Sequence, residues 1–336
     1  MRYVGLDVHA KSWVFVVLNN DGKKIRTCSG RGSWDDLLGQ LAEINRPFSI
    51  CYEASTGYGY LYDRLCSITT HIEVAHPGHL RLIFRARKKN DRVDALKLAK
   101  LLYLNEVPPV YVPSAAIREW RQLILHRQSI VQTLVRTKNQ IRALLRRYGL
   151  SAPKHTWSQR GLKVIEAQPL PEGYGELQRD LLLEQLGATQ LRLTRVERAL
   201  TERAARDSRI GFLMTIPGIG VRTAEAVVAY IDDPRRFRKR SVGSYFGLVP
   251  RQDASGANNR LGHITREGPS VVRKLLTQAT WQAISRSAKI RARFEQYCHG
   301  NRERRKIALV ATAHHLIRVM HSMLLTGEAC RYAEAA

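Results

Sequence analysis

The sequence predicts a mixed α/β domain followed by an α-helical remainder. Three observations carry this. Residues 1–112 hold short apolar runs of strand length, separated by amphipathic stretches of helix length. Two later segments, 117–148 and 176–207, keep apolar residues at three- and four-residue steps over many turns. The last third is helical in pattern with a Gly-rich middle.

The elements follow in order. Tyr3–Asp7 reads as a buried strand, and Ser12–Leu18, rich in Val, Trp and Phe, as a second. Asn19-Asn20-Asp21-Gly22 is a hairpin signal, and Lys24–Cys28 returns as the third strand. Ser33 is placed to cap a helix over Trp34–Ile44. Phe48–Glu53 is the next strand, followed by a helix near Tyr60–Cys66 and a strand at Ile72–Ala75. A helix opening at Asn90-Asp91-Arg92-Val93-Asp94 closes the unit. Three antiparallel strands and then alternating helix and strand make a mixed sheet with helices on its faces.

Pro108, Pro109 and Pro113 mark a boundary. Beyond it, Ile117–Tyr148 is a long amphipathic helix stopped by Gly149. Residues 151–175 read as a loop containing Pro153, Pro169 and Pro171, and a second long helix covers about 176–207. In that helix Leu182, Leu186, Leu193, Val196 and Leu200 alternate in three- and four-residue steps, with Thr189 as the break. The two helices read as an antiparallel coiled-coil hairpin or a dimerisation stalk, with a bundle against the first domain as the plainer alternative. The expected division is 1–112 for the sheet domain, 113–207 for the coiled-coil region, 208–326 for a small helical domain and 327–336 for a flexible tail.

Lys and Arg number 55 against 29 Asp and Glu, a formal charge of +26, so the expected partner is a polyanion. The apolar runs are broken by charge before membrane-spanning length, and the N-terminus enters a strand directly; neither a transmembrane helix nor a signal peptide is expected. The five cysteines are odd in number and lack metal-pair spacing, which fits a reducing cytosol without disulfides or zinc.

Against this positive background four acids stand out. Asp7 and Glu53 end strands, and Asp91 and Asp94 lie three apart on one side of a helix. Carboxylates so placed are suited to holding divalent ions beside a phosphate. Taken singly each has an ordinary reading, since Asp at a strand end often caps a turn and Asp91 could cap its own helix. Asp35, Asp36 and Glu43 read as solvated helix charges.

Three further patterns point to nucleic acid. Thr215-Ile216-Pro217-Gly218-Ile219-Gly220-Val221-Arg222 is a tight turn between short helices, whose N–H groups at Gly218 and Gly220 could grip a phosphate with help from Arg222. Phe246-Gly247-Leu248-Val249-Pro250 leads into a small polar loop with Ser255 before Gly256, flanked by Arg251, Arg260 and Arg266. On chemistry alone this Ser-Gly pair is a turn, and Ser241 and Ser244 compete with it. Basic runs, among them Arg87, Lys88 and Lys89, the cluster at 235–240, that at 302–306, and Arg136, Lys138, Arg142, Arg146 and Arg147, are expected to contact phosphates collectively.

These residues together resemble a family of bacterial insertion-sequence transposases. Val4-Gly5-Leu6-Asp7-Val8-His9-Ala10-Lys11, Tyr52-Glu53-Ala54-Ser55-Thr56-Gly57-Tyr58 and Lys89-Asn90-Asp91-Arg92-Val93-Asp94-Ala95 are similar to its three DEDD blocks. Ile216-Pro217-Gly218-Ile219-Gly220, Phe246-Gly247-Leu248-Val249-Pro250 and Ser255-Gly256 through Gly262-His263-Ile264-Thr265 resemble its C-terminal transposase domain. The resemblance implies a RuvC-like, ribonuclease-H-type N-terminal fold, a coiled-coil insert and a small helical transposase domain. It implies Mg2+ at Asp7, Glu53, Asp91 and Asp94, and Ser255 as a nucleophile forming a phosphoserine link to the cut strand. It further implies donor and target DNA as substrates, a bridge RNA guide, a homo-oligomer up to a tetramer, and a bacterial cytoplasmic, nucleoid-associated setting with no membrane partner. The Gln252-Asp253-Ala254-Ser255 order departs from the more usual aromatic-acid-Ser arrangement. A metal-dependent nuclease resembling Holliday-junction resolvases, cutting by hydrolysis, is the competing expectation; a non-catalytic nucleic-acid scaffold is the third.

Overall fold

The computed structural model describes residues 1–83, 90–170, 174–238, 241–255 and 258–330. The chain divides into two compact units, Met1–Arg118 and Glu119–Ala336.

The first unit is built on a five-stranded sheet. Its elements are β1 (Arg2–Val8), β2 (Ser12–Leu18), β3 (Lys24–Arg31), α1 (Trp34–Ala42), β4 (Phe48–Glu53), α2 (Tyr58–Leu65), β5 (His71–Ala75), α3 (Pro77–Ile83) and α4 (Asp91–Tyr103). The strand order is β3-β2-β1-β4-β5, with β1 central. β1 pairs antiparallel with β2 and parallel with β4, so the sheet is mixed. This is the α/β class expected, and a mixed sheet of the kind the resemblance implies. The β2–β3 turn is held by Asn19, whose side-chain oxygen accepts from Asp21 N at 3.0 Å and Lys23 N at 2.9 Å. Ser33 caps α1 in a reciprocal box with Asp36.

Strand alternation divides the side chains between two layers. Val4, Leu6, Ile50 and Tyr52 pack with Leu37, Leu41, Leu61 and Leu65 of α1 and α2. Cys51 packs on the other face with Leu98, Leu101 and Leu102 of α4, while Val14, Val16 and Leu18 pack with Ala95 and Ala99. Gly5 is on this second face, where a Cβ would overlap the carbonyl oxygen of Ala95 and the amide nitrogen of Ala99. Only glycine lets α4 lie this close to the central strand.

The second unit takes up α5 (Ala115–Arg147), which begins in the first, then α6 (Gln159–Ala167), α7 (Gly175–Ala205), α8 (Ser208–Met214), α9 (Val221–Ile231), α10 (Val242–Tyr245), β6 (Pro250–Ser255), β7 (Asn258–Ile264), α11 (Ser270–Arg286), α12 (Ala288–Cys298) and α13 (Arg305–Thr326). α5 and α7 run antiparallel. Ile141, Leu144 and Leu145 cluster with Leu182 and Leu186, Arg127 pairs with Glu197 at 2.5 Å, and the Arg203 guanidinium lies 4.7 Å from the Trp120 ring centroid. Contacts late in α5 thus meet early α7, and early α5 meets late α7.

Four expectations are corrected. Residues 151–175 contain α6, whose Ile165 completes the α5–α7 core. Thr189, taken as a break in the apolar series, is buried. The polar segment around Ser255 is a two-stranded hairpin within the otherwise helical unit, not a loop. Its described strand residues are exposed at Arg251, Gln252, Asp253, Arg260 and Leu261, so no apolar alternation announced it. Cys330, placed in a flexible tail, is buried. Residues 331–336 lie outside the described ones.

α9 and α13 form much of the second core. Every residue of α9 from Thr223 to Ile231 is buried. The Arg302–Thr326 stretch containing α13 is the one described segment long and apolar enough to cross a membrane, with half of its most apolar window buried inside the unit. Its buried side chains include Leu309, Leu316, Ile317 and Met320. All five cysteines are free thiols.

Candidate active site

The acids are positioned by the sheet. Asp7 lies two residues after Gly5, and Glu53 two after Cys51, so alternation puts both on the α4 face. β1 and β4 are parallel and register Leu6 with Tyr52, which puts Asp7 and Glu53 at the same level where the strands end. α4 begins above them. Its N-cap is Asn90, whose side chain accepts from Arg92 N at 3.0 Å. Asp91 is therefore not the cap of its own helix, contrary to the ordinary reading. Asp91 and Asp94 occupy the first turn, where the helix dipole favours negative charge.

Asp7, His9 and Asp91 come together. Each offers a ligand atom within 4.8 Å of the others. His9 Nε2 lies 3.8 Å from Asp7 Oδ1 and 3.8 Å from Asp91 Oδ2. Asp7 is the most enclosed of the three, its side chain 18% exposed against 46% for each of the others. Glu53 and Asp94 are not members of this group. Asp94 Oδ1 accepts from Lys97 Nζ at 2.8 Å, one turn along α4. Glu53 is exposed at its strand end.

His9 was not among the expected site residues. The available signal was its separation of two from Asp7 at a strand end, which places both on one face. The His9 N–H donates to Ser12 C=O at 2.8 Å, fixing the backbone in the β1–β2 turn.

The donor set fits a divalent cation. An ion with bonds of about 2.1 Å holds opposite ligands about 4.2 Å apart, so separations near those seen here need little adjustment. Two carboxylates supply the charge an ion requires, and an imidazole adds a neutral donor.

Ser255 lies in the other unit. It ends β6, registered against Asn258, two positions beyond Asp253, which faces Arg260 across the hairpin. Its side chain and residues 256–257 lie outside the described ones. The hairpin base is firmly tied. Thr265 N–H donates to Val249 C=O at 2.9 Å, and Arg273 Nη1 donates to the carbonyls of Phe246 and Gly268, each at 3.2 Å, and of Glu267. Arg251, Arg260 and Arg266 are exposed along this element.

The helix–turn–helix pattern is observed as α8, a turn and α9. Gly218 has φ +86°, and a Cβ there would overlap the backbone of Ala283 in α11. Its role is close packing. Gly220 caps α9 without a side-chain bond and is exposed. Arg222 differs from expectation. It pairs with Glu225 at 2.6 Å and donates to the Thr201 hydroxyl, so its guanidinium is committed within the unit. Glu225 is buried and also accepts from Trp120 Nε1 at 3.0 Å; burial pushes its carboxyl above the usual range. Lys138 and Arg142 stack on Trp157 at 5.0 and 5.2 Å. Arg87, Lys88 and Lys89 lie outside the described residues.

Residues 4–150 match the DEDD transposase family of IS110 elements, and residues 211–295 match the family described as Transposase IS116/IS110/IS902. A probable family 20 transposase of Pseudomonas aeruginosa is 30% identical over 255 residues, which is 72% of this chain and 74% of that protein. Putative transposase y4qE of Sinorhizobium fredii is 29% identical, covering 83% of this chain and 71% of its own. The transposase for insertion sequence element IS1328 of Yersinia enterocolitica is 26% identical, covering 82% and 83%. The first match contains all four acids and the second contains Ser255. The chain belongs to the IS110 family of insertion-sequence transposases, enzymes that cut and rejoin DNA.

Proposed function

We propose that this transposase exchanges DNA strands through a covalent phosphoserine at Ser255, with Mg2+ held by Asp7, Glu53, Asp91 and Asp94. The observation that carries the reading is the convergence of Asp7 and Asp91, from a central strand and a helix start, in a chain of net charge +26. A cluster of carboxylates weakens phosphate binding unless a cation offsets it.

The bound ion supplies charge neutralisation at the scissile phosphate. The chain supplies the remainder. Ser255 Oγ attacks phosphorus, an O–P bond forms, and the bond to the leaving deoxyribose oxygen breaks. The serine gives up its proton and the leaving oxygen gains one. One phosphodiester replaces another, so a free strand hydroxyl can reverse the step on a new partner without ATP. Asp7, on the central strand, and Asp91, on the adjoining helix, hold their oxygens in fixed relation, which limits reorganisation during attack. Arg251, Arg260 and Arg266 bind DNA phosphates near the hairpin, and Gly220 offers the open N-terminus of α9. Arg87, Lys88 and Lys89 add further positive charge for DNA phosphates.

The target is chosen by a bridge RNA, which accounts for the large phosphate-binding charge without a base-reading helix. The working unit is a dimer to tetramer acting on donor and target DNA in the bacterial cytoplasm, at the nucleoid. The test uses protein purified from cells carrying its element, with Asp7→Asn and Ser255→Ala variants in a two-plasmid recombination assay. Wild-type protein should recombine and carry one element-derived RNA; both variants should bind DNA and recombine nothing. Full recombination by RNA-free protein would remove the guide. DNA cutting by Ser255→Ala at the wild-type rate would favour the hydrolytic nuclease.

A further inference from the structure

We propose that His9 is a direct nitrogen donor to the divalent ion at Asp7 and Asp91, and that it tilts the site toward Mn2+ over Mg2+. The inference rests on the metal-site reading above and deepens it.

The geometry is symmetric. His9 Nε2 is 3.8 Å from a carboxylate oxygen on each side. That is beyond hydrogen-bond reach of either. A histidine serving only to orient one aspartate would sit about 2.8 Å from it. Equal longer separations suit groups arranged around a shared centre, where bonds of about 2.1 Å spread ligands between about 3 and 4.2 Å.

Among the described residues, packing gives His9 no other task. Its side chain is 46% exposed, while its backbone is held at Ser12. The imidazole is thus carried on an ordered turn. The acids come from separate elements, so the three donors approach from β1, the β1–β2 turn and α4.

The chemistry then discriminates between ions. Mg2+ favours oxygen ligands and retains water, whereas Mn2+, a transition ion that also takes oxygen ligands, tolerates one imidazole among them better than Mg2+ does. Retention of two carboxylates keeps Mg2+ binding possible but weaker. The consequence is a narrower working range of Mg2+ and a lower requirement for Mn2+.

The test is pulsed electron paramagnetic resonance of Mn2+ added to the full-length protein, with affinity measured by titration and Mg2+ competition. Wild-type protein should show nitrogen modulation on bound Mn2+. His9→Gln should lose that modulation, bind Mn2+ about tenfold more weakly, and show a smaller Mn2+ to Mg2+ preference. Circular dichroism should be unchanged, since His9 is not in the core. Mn2+ binding that depends on Asp7 yet lacks nitrogen modulation, or modulation that persists in His9→Gln, overturns the proposal while sparing the metal site. Failure of Asp7→Asn to reduce Mn2+ binding overturns the metal-site reading itself.

Discussion

Gly5 of β1 lies against Ala95 of α4, with no space for a side chain between strand and helix backbone. This contact sets the height at which α4 begins, and so brings Asp91 over the end of the strand carrying Asp7. The approach of Asp91 to Asp7 depends on an absent methyl group.

Gly5→Val should therefore damage stability and site together. Forcing a side chain into a packed contact costs about 1–3 kcal/mol, more where backbone must move. Denaturant unfolding of the variant should show a lowered midpoint, and its residual folded fraction should bind Mn2+ poorly. Wild-type affinity in that fraction would show that helix placement does not control the site.

Asp91 and Asp94 should differ in their first effect. Asp91→Asn removes a member of the converging group, so metal affinity falls along with strand cleavage. Loss of several kcal/mol of charge stabilisation corresponds to at least about a hundredfold in cleavage rate. Asp94 is paired with Lys97. Asp94→Asn should weaken metal binding less than Asp91→Asn does and still reduce cleavage. Calorimetric titration alongside a gel cleavage assay separates the two.

Asp207 predicts a pH effect on the second unit. It caps α8, accepts Arg209 N at 3.2 Å and pairs with Arg209 at 2.7 Å; the Arg209 guanidinium holds its carboxyl below the usual range. Arg209 also donates to Asp232 C=O at 3.0 Å, tying the start of α8 to the end of α9. A depressed carboxyl stabilises the fold above its unfolded value of about 3.9 and loses that contribution as pH falls through the folded value. Asp207→Ala should cost about 1 kcal/mol at neutral pH, mostly from the cap. In acid unfolding the difference between variant and wild type should shrink toward zero. A constant difference across pH would assign the effect to packing.

Much of the first unit was legible because β2 and β4 are apolar runs of Val, Ile and Phe, as buried strands are. Phe48–Glu53 and Ser12–Leu18 are observed with the bounds expected. The hairpin β6–β7 was not legible. Its described polar residues Arg251, Gln252, Asp253 and Arg260 face solvent, and Leu261 is 68% exposed, so periodicity carried no message. α6 was hidden by flanking prolines and its short length. Arg222 was assigned to phosphate on charge alone, although Glu225 three residues later on the same helix offered a partner. His9 was missed although it stands two positions after Asp7 at the end of a strand.

The most direct measurement is mass spectrometry of protein trapped on suicide donor DNA in the presence of Mg2+ and digested with protease and nuclease. A peptide spanning Ser255 should carry a nucleotide through its hydroxyl, in wild-type protein but not in Asp7→Asn. Cut DNA with free phosphate ends and no nucleotide on any peptide would contradict the account.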